Sequence, residues 1–112
     1  MRQVGILAAA ALYALDHNIE RLREDHLKAK TLADGIAELK QISIHPDEVQ
    51  TNMIIPDIAG TGKSQSEVLS SLRSHGVLMT PERATSIRAV THMDVSMEDM
   101  HQVVNVFRSL FK

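Results

Sequence analysis

The sequence predicts a small α+β domain, a mixed α/β arrangement in the order ααββαββα, and three observations carry that expectation. Apolar residues recur at helical spacing through the first third of the chain. From residue 41 onward they give way to short alternating runs bounded by Pro and Gly. The connections between those runs are short, which makes the sheet mainly antiparallel, with helices covering one face. Residues 1–112 are read as one domain, since that length fits a single core and the chain holds no repeat, low-complexity tract or linker. Hydrophobic residues make up 44% and charged residues 23%, enough aliphatic material to offset the entropy of ordering the chain. Aromatic residues are only 3%, so Ile, Leu, Val, Met and Ala must build the core.

The first element is an alanine-rich apolar run over residues 4–15, behind the lone positive charge of Arg2. It imitates a targeting signal, but its charged lead is thin, and it is shorter than the roughly 20 apolar residues that cross a bilayer. As a helix it would be buried around most of its circumference, and a chain this short offers few partners to bury it. That is a first sign of a missing neighbour. A second helix follows, capped by Asp16 or Asn18, with Ile19, Leu22, His26, Ala29, Ala33 and Ile36 on one stripe. Glu24 and Lys28 belong to its solvated face, and Gly35 weakens its last turns. Residues 41–45 alternate as a strand that Pro46 stops, and residues 50–58 form a second strand. Ala59 to Lys63 is a glycine-containing loop. Ser64 and Glu67 have capping-box spacing and open a third helix, which Gly76 ends. Residues 77–80 and 86–92 are two more strands around a turn at Pro81, and Ser96 with Asp99 caps a last helix through Phe111.

Charge and cysteine content exclude several classes. Twelve basic against fourteen acidic residues give a formal charge of −2 with no basic patch, which argues against a nucleic-acid partner. With no cysteine there is neither a disulfide scaffold nor a thiolate metal cage, and a reducing, cytoplasmic location is expected.

Three groups of residues invite chemistry. Gly60-Thr61-Gly62-Lys63-Ser64 lies between a strand and a helix, the context of a phosphate-cradling loop. The full spacing needs glycine at position 57, where Asp57 would repel a phosphate instead. The six histidines contain no i, i+4 helical pair, and only His92 with Asp94 forms an imidazole–carboxylate neighbour pair. That pair is most simply a strand end and its turn, and His26 is read as a half-buried core residue. Arg88 is more informative. Strand alternation sets Ile87, Ala89 and Thr91 on one face and Arg88, Val90 and His92 on the other. Two settings suit such an arginine: a cleft where it forks onto a carboxylate, or an exposed ion pair contributing at most about 1 kcal/mol.

Several stretches together resemble the low-specificity threonine aldolases. These are residues 1–10 (MRQVGILAAA) and 87–95 (IRAVTHMDV), with Glu24-Asp25-His26, Gln50-Thr51-Asn52-Met53 and His75-Gly76-Val77-Leu78 between them. The similarity runs through the whole chain but corresponds to about the last third of such an enzyme. It implies the small C-terminal domain of a fold-type-I enzyme that uses pyridoxal phosphate to cleave L-threonine or L-allo-threonine into glycine and acetaldehyde. In that family the cofactor ring accepts the electrons of the breaking Cα–Cβ bond while a base takes the hydroxyl proton. By the same resemblance Arg88 holds the α-carboxylate of a β-hydroxy amino acid, and Arg2 lies near the cofactor phosphate across a subunit interface of a homo-oligomer. The family's cofactor-bearing lysine lies upstream of the Met-Arg-Gln motif and has no counterpart among Lys28, Lys30, Lys40, Lys63 and Lys112. The chain alone is therefore expected not to anchor the cofactor covalently or turn over substrate. Family glycines precede the motif, whereas this chain begins at its methionine, which implies a truncated gene, a chosen piece or an internal start. The alternative reading is a non-catalytic module that self-associates or docks through its apolar first helix.

Overall fold

In a computed structural model describing residues 1–112, helix α1 (Gly5–His17) leads into α2 (Leu22–Ala37). Strand β1 (Met53–Ile54), helix α3 (Gln65–Ser74), strands β2 (Thr80–Pro81) and β3 (Ile87–Val90), and helix α4 (Met97–Leu110) complete the chain. The sheet is antiparallel with order β1-β3-β2, pairing Met53 with Val90 and Thr80 with Arg88. The α+β class is as expected, but the order is ααβαββα.

The missing strand is residues 41–45. Only Ser43 pairs, through two backbone hydrogen bonds of 2.8 and 2.9 Å with Asp57. On one side Ile42 is still turning off the helix, its N–H donating to the Leu39 carbonyl. On the other, Pro46 starts a 3-10 turn, Pro46–Glu48. The remaining strands are shorter than the alternation implied, and Pro81 lies in β2 instead of in the turn. It is tolerated because β2 is an edge strand, where the missing N–H costs no ladder bond.

The core joins Ala29, Leu32, Ala33 and Ile36 of α2, Val68 and Leu72 of α3, and Val104 and Phe107 of α4 to Ile54 and Ile87 of the sheet. Phe107 and Phe111 are fully buried with ring centroids 5.7 Å apart. Gly35 has a packing reason to stand near the end of α2, despite the helix propensity it forgoes. It lets α4 approach so closely that a Cβ there would lie 2.5 Å from Val104. The capping boxes at Ser64/Glu67 and Ser96/Asp99 both form, and Gly76 ends α3 with φ of 78°.

The stripe on α2 is displaced at its start. Neither Asp16 nor Asn18 caps it; the N-cap is Arg21, and Ile19, Leu22 and His26 are exposed. Asp25 and Lys28 face inward instead, so Lys28 leaves the solvated face expected for it. Helix α1 buries none of its thirteen residues. The radius of gyration is 16.2 Å, against about 13 Å for a compact chain of this length, and the extents are 49 × 27 × 24 Å. The excess fits a helix of about 20 Å standing off the core.

Candidate functional site

Strand β3 builds the site through its parity. Ile87 and Thr91 are buried, while Arg88 is partly exposed and Val90 exposed, as the alternation required. Arg88 Nη1 lies 3.4 Å from Glu82 Oε2. Thr80 opposes Arg88, so Glu82 is its diagonal neighbour on the same face, within reach of two long side chains. The exposed-ion-pair setting is thus realised, with one qualification in the geometry: Arg88 Nε is buried and has no hydrogen-bond partner.

The hairpin carrying Glu82 is held from three directions. Its N–H donates to the Ser86 carbonyl at 3.0 Å. Gln65 Nε2, in the first turn of α3, donates to the Arg83 and Ser86 carbonyls at 2.6 Å each. Thr85 Oγ1 donates to Asp57 at 2.7 Å. An N–H from Ala59 and this hydroxyl stabilise the Asp57 carboxylate and hold its pKa below the usual value.

Beyond the end of β3 a buried polar clasp takes over from the ladder. Thr91 N–H donates to the Asn52 carbonyl at 2.8 Å, and Asn52 Nδ2 returns a bond to the Thr91 carbonyl at 2.9 Å. Thr91 Oγ1 donates to the Asp25 carbonyl at 2.7 Å, and Lys28 Nζ to the His92 carbonyl at 3.1 Å. The Asp25 carboxylate accepts from Arg21 at 3.0 and 3.2 Å and from Lys28 at 3.2 Å. Burial raises its pKa, but the hydrogen bonds and charges of Arg21 and Lys28 outweigh that and leave it lowered. The i, i+3 and i, i+4 spacing of these three residues was visible in the sequence; that this side of α2 turns toward Thr91 was not.

The other expected residues fall elsewhere. Arg2 is exposed in the turn before α1. His92 and Asp94 are both exposed, 3.6 Å apart, with the Asp94 N–H donating to His92 Nδ1, which is the turn arrangement. No group of three metal-ligating side chains gathers anywhere. The glycine loop is already satisfied without a phosphate: Glu67 takes both the Ser64 N–H and hydroxyl, and Lys63 lies over the Phe111 ring. Gly60 is there because a Cβ would lie 2.6 Å from the Gln41 carbonyl. A cleft of about 470 Å³ opens between α4, the segment after Gly76 and the end of β3, but Arg88 does not line it. No helix is long and apolar enough to cross a membrane.

The fold recurs within larger proteins. The structure of MppP soaked with the product 2-ketoarginine superposes with a TM-score of 0.66 at 20% identity, over 86% of this chain and 29% of that one. The structure of DesI in the presence of its TDP-sugar product gives 0.60 at 18% identity, over 88% and 32%. The beta-eliminating lyase family profile matches residues 1–59, and the chain belongs to that family. It is 38% identical over 112 residues to a probable low-specificity L-threonine aldolase 2 of Arabidopsis thaliana, covering 99% of this chain and 32% of that protein. It is also 36% identical over 110 residues to the low specificity L-threonine aldolase of Escherichia coli (strain K12), covering 97% and 31%. The chain spans about a third of the length of the curated relatives it matches.

Proposed function

We propose that residues 1–112 act as the small C-terminal domain of a pyridoxal-phosphate-dependent lyase that cleaves L-threonine or L-allo-threonine to glycine and acetaldehyde. The observation that carries this reading is Arg88: a strand places it on the outward face, and its guanidinium is held by a single ion pair, not a full fork. Such a group suits the α-carboxylate of a β-hydroxy amino acid, which needs planar, two-point recognition. The cofactor, when bound, supplies an electron sink for the carbanion left by carbon–carbon cleavage. Arg2, exposed and free of ion pairs, fits the cofactor phosphate, and α1 fits an interface within a cytoplasmic homo-oligomer.

The covalent attachment of the cofactor falls outside these residues in this reading. Three of the chain's five lysines already have partners: Lys28 has Asp25 and the His92 carbonyl, Lys30 has Asp34 and Asp47, and Lys63 has the Phe111 ring. The test is a chimera in which this chain replaces the matching third of the Escherichia coli enzyme. Threonine cleavage should survive, and Arg88→Ala should raise KM by at least tenfold, since a charge-assisted two-point contact is lost. A chimera equally active with Arg88→Ala refutes the assignment. An absorbance scan of the chain with added pyridoxal phosphate, before and after borohydride reduction, checks the second claim: an adduct reduced onto one lysine overturns it.

A second reading is favoured by α1 alone. Ile6, Leu7, Leu12, Tyr13 and Leu15 are each at least 60% exposed, so the chain would serve as a self-association or docking module.

A further inference from the structure

The contact between Arg88 and Glu82 is incomplete in a particular way. Nε is covered by the protein and has no acceptor, so the side-on edge of the guanidinium is closed to a ligand. What remains open is the Nη end, and there Glu82 Oε2 already stands 3.4 Å from Nη1. That separation exceeds the 2.7–2.9 Å of a charge-assisted hydrogen bond. Glu82 therefore holds the arginine by charge without using its donors.

We propose that Glu82 is an internal stand-in for the ligand's carboxylate, an autoinhibitory contact that a carboxylate ligand must displace from the Nη end of Arg88. This rests on the reading of Arg88 as a carboxylate anchor and adds the residue that sets how tightly it binds. Glu82 is suited to the part because its backbone does not wander. The Ser86 carbonyl, Gln65 and Thr85 tie down the hairpin, so its carboxylate stays on the face of β3 that carries Arg88. Glu82 and Arg88 are also only partly exposed, at 30% and 39% of their side chains, so water screens their attraction incompletely. An incoming carboxylate meets two obstacles of the same sign: it has to part this ion pair, and it meets the repulsion of a second carboxylate beside it. Removing the charge at position 82 relieves both.

The experiment follows the Arg88 side-chain Nε–H resonance of the 112-residue chain by NMR during titration with L-threonine and, separately, acetate at constant ionic strength. Glu82→Gln should bind both probes about two- to fivefold more tightly than the unaltered chain, the limit set by one partly exposed ion pair. Arg88→Lys should bind neither. A backbone amide spectrum of each variant confirms that the hairpin is intact, and Glu82→Asp, whose carboxylate is one methylene further from Arg88, should fall between the two. If the unaltered chain shifts with the probes and Glu82→Gln binds equally or more weakly, the stand-in role is wrong while Arg88 remains an anchor. If no probe moves the Arg88 resonance in either chain, the anchor itself is wrong and the stand-in falls with it.

Discussion

Replacing Asp25 by alanine should be among the most damaging single changes to the fold. The substitution leaves the Lys28 ammonium, whose side chain is 8% exposed, with only the His92 carbonyl as a partner. Breaking a buried ion pair by removing one member costs about 3–5 kcal/mol, because the other charge stays desolvated. The total for a chain of this length is of the order of 6–17 kcal/mol, so the loss is a large share of it. Lys28→Met should cost less, since Asp25 keeps the two bonds from Arg21. Pairing Lys28→Met with Asp25→Leu should recover most of the loss, because an apolar pair removes both buried charges. Urea unfolding followed by far-UV circular dichroism at neutral pH measures all three, and high salt should leave the ranking unchanged for a buried pair. The acid side supplies an independent check. A lowered folded-state pKa means the unfolded chain takes up the proton more readily than the folded one. The stability from Asp25 is then complete above its ordinary value of 3.8 and is lost as pH falls through the lower folded value. Asp25→Asn should remove that part of the acid-dependent slope and leave the parts due to Asp57 and Asp99. A loss below about 1 kcal/mol for Asp25→Ala, or a greater loss for Lys28→Met, would refute the clasp as a source of stability.

Two further changes test the packing. Gly35→Ala should destabilise by about 1 kcal/mol, since overpacking against Val104 at about 1–3 kcal/mol outweighs a helix-propensity gain of about 1. In a Val104→Ala background the same change should turn stabilising, and a double-mutant cycle by chemical denaturation reads the reversal. In α1, Leu7→Glu and Leu12→Glu should alter unfolding by less than about 0.5 kcal/mol while weakening any self-association seen by sedimentation. Cooperative destabilisation of the whole chain would mean that α1 belongs to the core after all.

What was legible in the sequence divides by the range of the forces involved. Both capping boxes, the stop at Gly76 and the face of Arg88 depend on residues within a turn or along one strand, and local spacing shows them directly. The strand over residues 41–45 failed because its alternation was genuine but its partners were not there. Ile42 is buried by the end of α2, and Pro46 bends the chain away after a single bridge at Ser43. His26 and Lys28 were misassigned because hydrophobic periodicity assumes that buried positions are apolar. At the start of α2 the inward side meets the end of β3, where the His92 carbonyl accepts from the Lys28 ammonium and the Asp25 carboxylate balances that buried charge. Glu82 was invisible for a related reason. Its diagonal relation to Arg88 exists only once the hairpin register is known.

The division of β3 between its two faces explains how so small a sheet can hold Arg88 in place. Strands β1 and β2 are two residues long, and a ladder that short cannot by itself fix the orientation of the strand between them. Ile87 supplies an apolar anchor at one end of β3. At the other, Thr91 and the carbonyl of His92 are held by Asn52, Asp25 and Lys28. The strand is thus pinned at both ends from the inward side. Arg88 stands between those pins on the outward side, where its ion pair with Glu82 contributes little to the core. Arg88→Ala should therefore cost no more than about 1 kcal/mol of stability, the limit for an exposed ion pair, while Asp25→Ala costs several times that. Ile87, which anchors the strand, and Arg88, which faces outward, are separated by a single step along the backbone, and that step is the pleat.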